Sequence, residues 1–173
     1  MSSKKGLSLR EMLIFAMLGG LMFCSKLVME LAPNVHLLGM FIVSFTLVYR
    51  AKALIPIYIF VLLSGLYYGF SLWWFPYLYI WTVLWGAVML LPKKLPQKLA
   101  PLIYMGIAGF HGLCFGTLYA PFQALAFGMS FRVTLSWIIA GLPWDALHAL
   151  GNVAGGVLIV PLKNLLLRLE KSK

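Results

Sequence analysis

Acidic side chains are scarce in this chain. Its 173 residues include four Asp and Glu against 14 Lys and Arg, and only 10% are charged while 62% are hydrophobic. The mean hydropathy is +0.95. A water-soluble domain of this length could not hide so much apolar surface inside one core. The composition therefore excludes a soluble protein and indicates an integral membrane protein.

Motifs of the common catalytic classes are also missing. The sequence contains no P-loop, no G-x-S-x-G and no H-E-x-x-H. Its two cysteines, Cys24 and Cys114, are far apart and form no C-x-x-C or Cys/His cluster. We therefore expect no enzyme activity, no metal site and no cofactor.

The apolar runs predict an all-α membrane protein with six transmembrane helices in one compact bundle, a single domain over residues 1–173. The last two runs are longer than a bilayer requires, so each should contain a bend or a surface segment, with Pro121 and Pro143 as the natural break points. The six predicted spans are Glu11–Leu31, His36–Arg50, Ala53–Phe70, Trp73–Leu91, Leu99–Phe127 and Phe131–Leu167.

Lysine and arginine are concentrated in every second connection between the predicted spans, and therefore on one side of the arrangement. They precede the first span, separate spans two and three, fill the Lys93–Lys98 loop and end the chain, whereas the opposite loops at Ala32–Val35 and Ser71–Leu72 carry none. By the positive-inside rule both termini should be cytoplasmic. The net charge of +10 is therefore interpreted as a topology signal, and we expect no nucleic-acid partner.

The last span carries three polar residues in register. Asp145, His148 and Asn152 stand at i, i+3 and i+7, so they share one face of a helix. An ionisable group at bilayer depth costs about 2.5–3.5 kcal/mol on insertion scales. A sequence that tolerates this cost on one helix face is expected to use the face to hold something polar.

Other polar residues fall within the spans, and two interpretations of them stay open. Lys26 and Glu30 are four residues apart in span one, and His111 lies in span five. They can be structural, with Lys26 paired to Glu30 or to Asp145. Alternatively, they line a cavity that opens outward and contact a polar solute.

Aromatic residues could supply the rest of a small-molecule pocket. Trp81 of span four is equally well explained by packing or by substrate contact, and Trp144, beside Asp145, is the better candidate for stacking on a flat ring. Asn34, in the first external loop, is added to the candidate substrate-binding residues. Ala16 and Gly20 form a small-xxx-small pair away from this pocket, free to face another protein.

Together these features resemble the substrate-binding S component of an energy-coupling factor (ECF) transporter. The resemblance rests on six spans in about 170 residues, the Ala16/Gly20 pair, and the last span, in which D-x-x-H-x-x-x-N runs from Asp145 to Asn152 and is followed by Gly155-Gly156. It covers essentially the whole chain.

The resemblance implies a subunit of an ABC-type importer in the plasma membrane of a prokaryote, with high affinity for a vitamin or related micronutrient. The pocket would open outward and use spans one, four, five and six. Partners would be an EcfT-type transmembrane coupling subunit, contacted by Ala16 and Gly20, and two EcfA-type ATPases that supply the energy.

Two other classes of membrane protein are alternatives. A stand-alone proton-coupled secondary transporter could use Asp145, His111 and His148 as a relay, although the spans show no inverted repeat. An intramembrane enzyme would need a nucleophile or metal beside Asp145 and His148. The mixture of Trp, Tyr and His with few charges suits a flat nitrogen heterocycle of the pyridoxine, thiamine or pyrimidine type.

Overall fold

A computed structural model describes residues 6–31, 37–92 and 94–171, and within these ranges the chain is helical with no strand. Short 3-10 turns at Met29–Leu31, Arg50–Ala53 and Leu72–Trp74 join or extend the helices. The α-helices are α1 Leu9–Val28, α2 Leu38–Tyr49, α3 Leu54–Tyr68, α4 Tyr77–Met89, α5 Ala100–Leu113, α6 Phe115–Phe127, α7 Phe131–Gly156 and α8 Ile159–Lys171.

Local sequence signals account for several helix ends. Ser8 caps α1 in a capping box, because its side chain accepts from the Glu11 amide while the Glu11 carboxylate accepts from the Ser8 amide. Gly128 ends α6 with a positive φ of 61°, a conformation that glycine adopts without a steric cost. Ser130 then caps the first turn of α7.

The core lies around α2. All nine residues from Leu38 to Thr46 are buried, so α2 has no solvent-facing or lipid-facing side over its first two turns and more. It packs against α4, α5, α7 and α8. Gly39, in its first turn, lies against Asn152 of α7, and the Ser44 hydroxyl reaches the carbonyl of Ile159 in α8. The start of α2 is therefore level with the second half of α7.

A second packing unit joins α1 to α3. Gly19 is buried there, and a Cβ added to it would lie 2.6 Å from Cγ2 of Ile59 and 2.9 Å from the carbonyl oxygen of Pro56. The neighbouring Gly20 has no atom within 4 Å of the same position. Of two adjacent glycines, one therefore packs inside the protein and the other faces away from it.

Five helical stretches in the described residues are long and apolar enough to cross a bilayer: Leu9–Leu31, Leu38–Tyr68, Leu72–Met89, Ala100–Phe127 and Phe131–Gly156. An all-helical multi-pass membrane protein is thus supported, whereas the predicted count of six is not confirmed. Predicted spans two and three fall within one continuous stretch, Leu38–Tyr68. With 12 residues, α2 is about 18 Å long at 1.5 Å per residue, well short of the roughly 30 Å hydrocarbon core.

The two long runs are interrupted, as expected, but the predicted break points are wrong. Pro121 lies inside α6 and Pro143 inside α7. The interruptions come at Cys114, between α5 and α6, and at Val157–Leu158, between α7 and α8. At the first break, the Gly116 amide donates a hydrogen bond to the Asp145 carboxylate. This tertiary contact stabilises an interruption that proline does not cause.

Basic segments that are distant in sequence meet at one end of the bundle. The Arg10 guanidinium donates to the carbonyl of Leu169 in α8, Lys52 pairs with Glu11, and Arg50 donates to the carbonyl of Met89. The start of α1, the α2–α3 turn, the end of α4 and the end of α8 therefore share one end, which we call the basic end. This is the arrangement that the charge alternation predicts.

We expect the basic end to face the cytoplasm. In a variant with Cys24 and Cys114 replaced, a cysteine at exposed Ser71 should react in whole cells with an impermeant thiol reagent, because Ser71 lies in an uncharged loop. A cysteine at exposed Gln97 should react only after the cells are opened. The opposite labelling pattern would invert the topology.

Candidate functional site

The buried face of α7 is polar. The buried residues of this 26-residue helix are Asp145, His148, Asn152, Gly155 and Gly156. Its large apolar side chains instead lie on the outer surface, among them Leu135, Ile139, Leu142, Leu150 and Val153. The prediction that Asp145, His148 and Asn152 share one face is confirmed, and we call these three residues the polar row.

Asp145 lies against the break between α5 and α6. The residue is 3% exposed, and its two carboxylate oxygens lie 3.0 and 3.1 Å from the Gly116 amide nitrogen, which donates to them. Gly116 is the second residue of α6, where amides have no partner within the helix. A carboxylate at this position satisfies one such amide and is also attracted by the positive end of the helix dipole.

His148 lies beside Asp145 and the ring of Phe115. Its Nδ1 lies 3.9 Å from Oδ1 of Asp145, and its ring centroid is 4.9 Å from that of Phe115. His111 of α5 is also buried, with Nε2 3.0 Å from the carbonyl oxygen of Ile80 in α4. Imidazoles from α5 and α7 therefore border the same aromatic interior from two sides.

Asn152 ends the polar row near the start of α2. Its Nδ2 donates to the carbonyl of Ala108, and its Oδ1 is buried with no hydrogen bond to any residue that the structure describes. A Cβ on Gly39 would lie 2.6 Å from that oxygen, and a Cβ on Gly112 would lie 2.8 Å from Nδ2. Two glycines on two helices therefore leave the space that the Asn152 amide occupies.

Lys26 and Glu30 form a separate group near the end of α1. Lys26 Nζ lies 3.1 Å from Oε1 of Glu30 and 4.1 Å from the ring centroid of Tyr68, whose hydroxyl donates to the same carboxylate oxygen. We call Lys26 and Glu30 the outer ion pair. The alternative in which Lys26 pairs with Asp145 is wrong, because α1 packs on α3 while Asp145 binds the start of α6.

Aromatic rings connect the outer ion pair to the polar row. Successive ring centroids are 4.9 to 6.0 Å apart along the series Tyr68, Trp73, Tyr77, Trp81, Phe115 and His148. Trp81 is 2% exposed and also contacts Phe60 and His111. Packing thus accounts for Trp81 in this arrangement, and its contact with a substrate stays a prediction.

One predicted binding residue, Trp144, does not join this interior. Trp144 directly precedes Asp145 but is 56% exposed, so its stacking on a flat substrate stays a prediction. Helical geometry turns adjacent residues about 100° apart, which places Trp144 on the outer surface of α7. Asn34 lies outside the described residues.

A cavity of about 440 Å³ opens beside His111, between α4 and the α5–α6 pair. His111 and Cys114 are its polar or polarisable lining residues, and the remainder of the lining is apolar. Its rim includes Phe110 and Val83, which are 69% and 44% exposed. The cavity is therefore a groove on the side of the bundle, and the polar row does not line it.

The sequence did not indicate three residues of this arrangement as site residues. Tyr68 follows Glu30 by 38 positions, Gly116 is a backbone donor, and Phe115 is one of many aromatic residues. The sequence carries a partial signal for Gly116 alone, since it belongs to a Gly-xxx-Gly pair with Gly112, and both glycines do approach α7.

Comparisons with known proteins identify no relative. No family model, no curated protein and no solved structure matches the chain. In the described residues, no group of three or more His, Cys, Asp and Glu side chains is placed to hold a metal ion.

Proposed function

We propose that this protein is the substrate-binding S component of an ECF-type importer for a vitamin or related micronutrient. One observation carries the proposal: the fully buried residues of α7 are polar residues and glycine, while most of its large apolar side chains face outward. Leucines that face lipid are ordinary in a membrane helix. Ionisable side chains buried within the bundle are costly there and are typical of sites that bind a polar solute or ion. The D-x-x-H-x-x-x-N resemblance supplies the functional class for this polar face.

The chemistry of the interior favours a flat solute with hydrogen-bonding groups. Asp145 supplies a carboxylate, His111 and His148 supply imidazoles, and Trp81 and Phe115 lie between the two histidines. Rings of this kind stack on planar heterocycles, and a few placed polar groups fix their orientation. A nitrogen heterocycle of the pyridoxine, thiamine or pyrimidine type meets both conditions.

The exposed small residues of α1 are suited to contact with a protein partner. Ala16 is exposed, and a Cβ on Gly20 would meet no atom within 4 Å. Small residues on an exposed helix face let another backbone approach closely in a membrane. We propose that this face contacts an EcfT-type coupling subunit, which two EcfA-type ATPases energise.

Purification from the native membrane tests the function directly. The protein should co-purify with a coupling subunit and ATPases, and heating it should release a small heterocycle that mass spectrometry detects. Uptake into proteoliposomes by the purified protein alone, driven by a pH gradient, would instead indicate a secondary transporter. Absence of both partners and any bound small molecule would refute the proposal.

Adjacent glycines provide a matched test of the partner face. Gly20→Leu should reduce uptake at least tenfold while the isolated protein keeps its ligand affinity, because the new side chain fills open space that the partner needs. Gly19→Leu should instead reduce folded protein, because Ile59 and the Pro56 carbonyl occupy that space. Normal uptake by Gly20→Leu would remove this face of α1 from the partner contact.

A further inference from the structure

The basic end contains a cavity whose lining differs from that of the apolar grooves. It measures about 350 Å³ and lies between the end of α2, the end of α4, α5 and α8. Two cationic side chains and one hydroxyl line it, together with apolar residues: Arg50, Lys163 and Tyr104, with Leu47, Leu91 and Pro92. We call it the basic cavity.

Among the described residues, no carboxylate pairs with the cationic side chains of the basic cavity. Lys163 is half-buried and makes no ion pair or hydrogen bond with the described residues, and Arg50 donates only to the Met89 carbonyl. Of the acidic residues at this end, Glu11 pairs with Lys52, and Glu170 lines a separate cavity together with Tyr49. Since a guanidinium carries five N–H donors, Arg50 keeps donors for another acceptor.

The backbone at Arg50 is held in an unusual conformation. Arg50 has φ 53° and ψ −122°, a combination that favours glycine, and it is the one non-glycine residue with positive φ in the described parts of the chain. Two bonds to α4 fix it there, because Trp85 Nε1 donates to the Arg50 carbonyl and the guanidinium donates to Met89. A strained arginine where glycine would fit points to a use for its side chain.

We propose that the basic cavity binds the phosphate of an anionic phospholipid head group. Guanidinium and ammonium groups bind phosphate oxygens through charge-assisted hydrogen bonds. Basic pockets between helices on the cytoplasmic side of a membrane suit such head groups. Leu47, Leu91 and Pro92 would contact the glycerol and the first acyl carbons. Free phosphate has the same recognition chemistry but no use for this apolar part.

Thermal unfolding in detergent, with added phosphatidylglycerol, phosphatidylcholine or inorganic phosphate, tests the proposal. Phosphatidylglycerol should raise the unfolding midpoint and phosphatidylcholine should not. An equal rise with inorganic phosphate alone would reassign the cavity to free phosphate and overturn the lipid proposal. No rise with phosphatidylglycerol would overturn it as well.

Variants distinguish lipid binding in the basic cavity from general attraction of the lipid to positive charge. Lys163→Gln and Arg50→Gly should each weaken phosphatidylglycerol binding at least tenfold in native mass spectrometry, and Arg50→Gly accepts the φ of 53° without strain. Lys98→Gln removes an equal charge from an exposed site outside the cavity and should bind as the wild type does. Equal retention of phosphatidylglycerol by all three variants would overturn the proposal.

Discussion

Replacing Gly112 by alanine is expected to destabilise the protein severely. A Cβ at Gly112 would lie 2.8 Å from both the carbonyl carbon and the carbonyl oxygen of His148, and 2.8 Å from Nδ2 of Asn152. A side chain could rotate away, but the backbone of α7 cannot move without displacing the polar row. We expect a loss of about 3 kcal/mol, at the upper end of the usual overpacking range, measured as a lower unfolding midpoint in detergent.

Gly106→Ala is the matched control. It lies on the same helix as Gly112, and a Cβ there would meet no atom within 4 Å. It should leave the midpoint unchanged or raise it slightly, since alanine favours a helix over glycine by about 1 kcal/mol. If both variants unfolded at the wild-type midpoint, α5 and α7 would have to be further apart than the structure places them.

Periodicity in the sequence was sufficient to predict the polar row. Asp145, His148 and Asn152 lie within eight residues of one helix, so their common face depends on local geometry alone. Charge alternation likewise predicted that Arg10, Lys52 and Arg50 lie at one end, because the rule concerns loops and not side-chain contacts. Their cytoplasmic orientation stays a prediction.

Long-range contacts decided the features that the sequence did not show. The α5–α6 break lies at Cys114 because Asp145, about 30 positions later, accepts a hydrogen bond from the Gly116 amide. Pro121, in contrast, lies inside α6. The Lys26–Glu30 pair is one that the four-residue spacing predicts, but Tyr68, whose ring lies against Lys26, comes from another helix and no spacing rule indicates it. The predicted second span is short, and its uniformly apolar composition suits both a membrane-crossing helix and a helix buried inside the bundle, so the sequence alone does not distinguish the two.

Asp145 combines two roles that substitutions can separate. As a cap, it supplies an acceptor to the Gly116 amide, so Asp145→Ala should leave a buried N–H without a partner and cost about 1–3 kcal/mol of folding stability. Asp145→Asn keeps one carbonyl oxygen at the same position. It should unfold at a midpoint between those of the alanine variant and the wild type, because it retains the acceptor and loses the charge at the start of α6.

Ligand binding then distinguishes the cap from the site. If the Asp145 carboxylate also contacts the solute, Asp145→Asn should weaken binding of the co-purifying small molecule by about 1–3 kcal/mol, roughly 5- to 150-fold, although the protein is folded. Asn152→Ala, on the same face of α7, should weaken binding if the whole polar row is engaged. Calorimetry on purified variants measures both effects. A folded Asp145→Asn protein that binds at wild-type affinity would leave Asp145 with its structural role alone, since the acceptor for Gly116 is the one property that this substitution preserves.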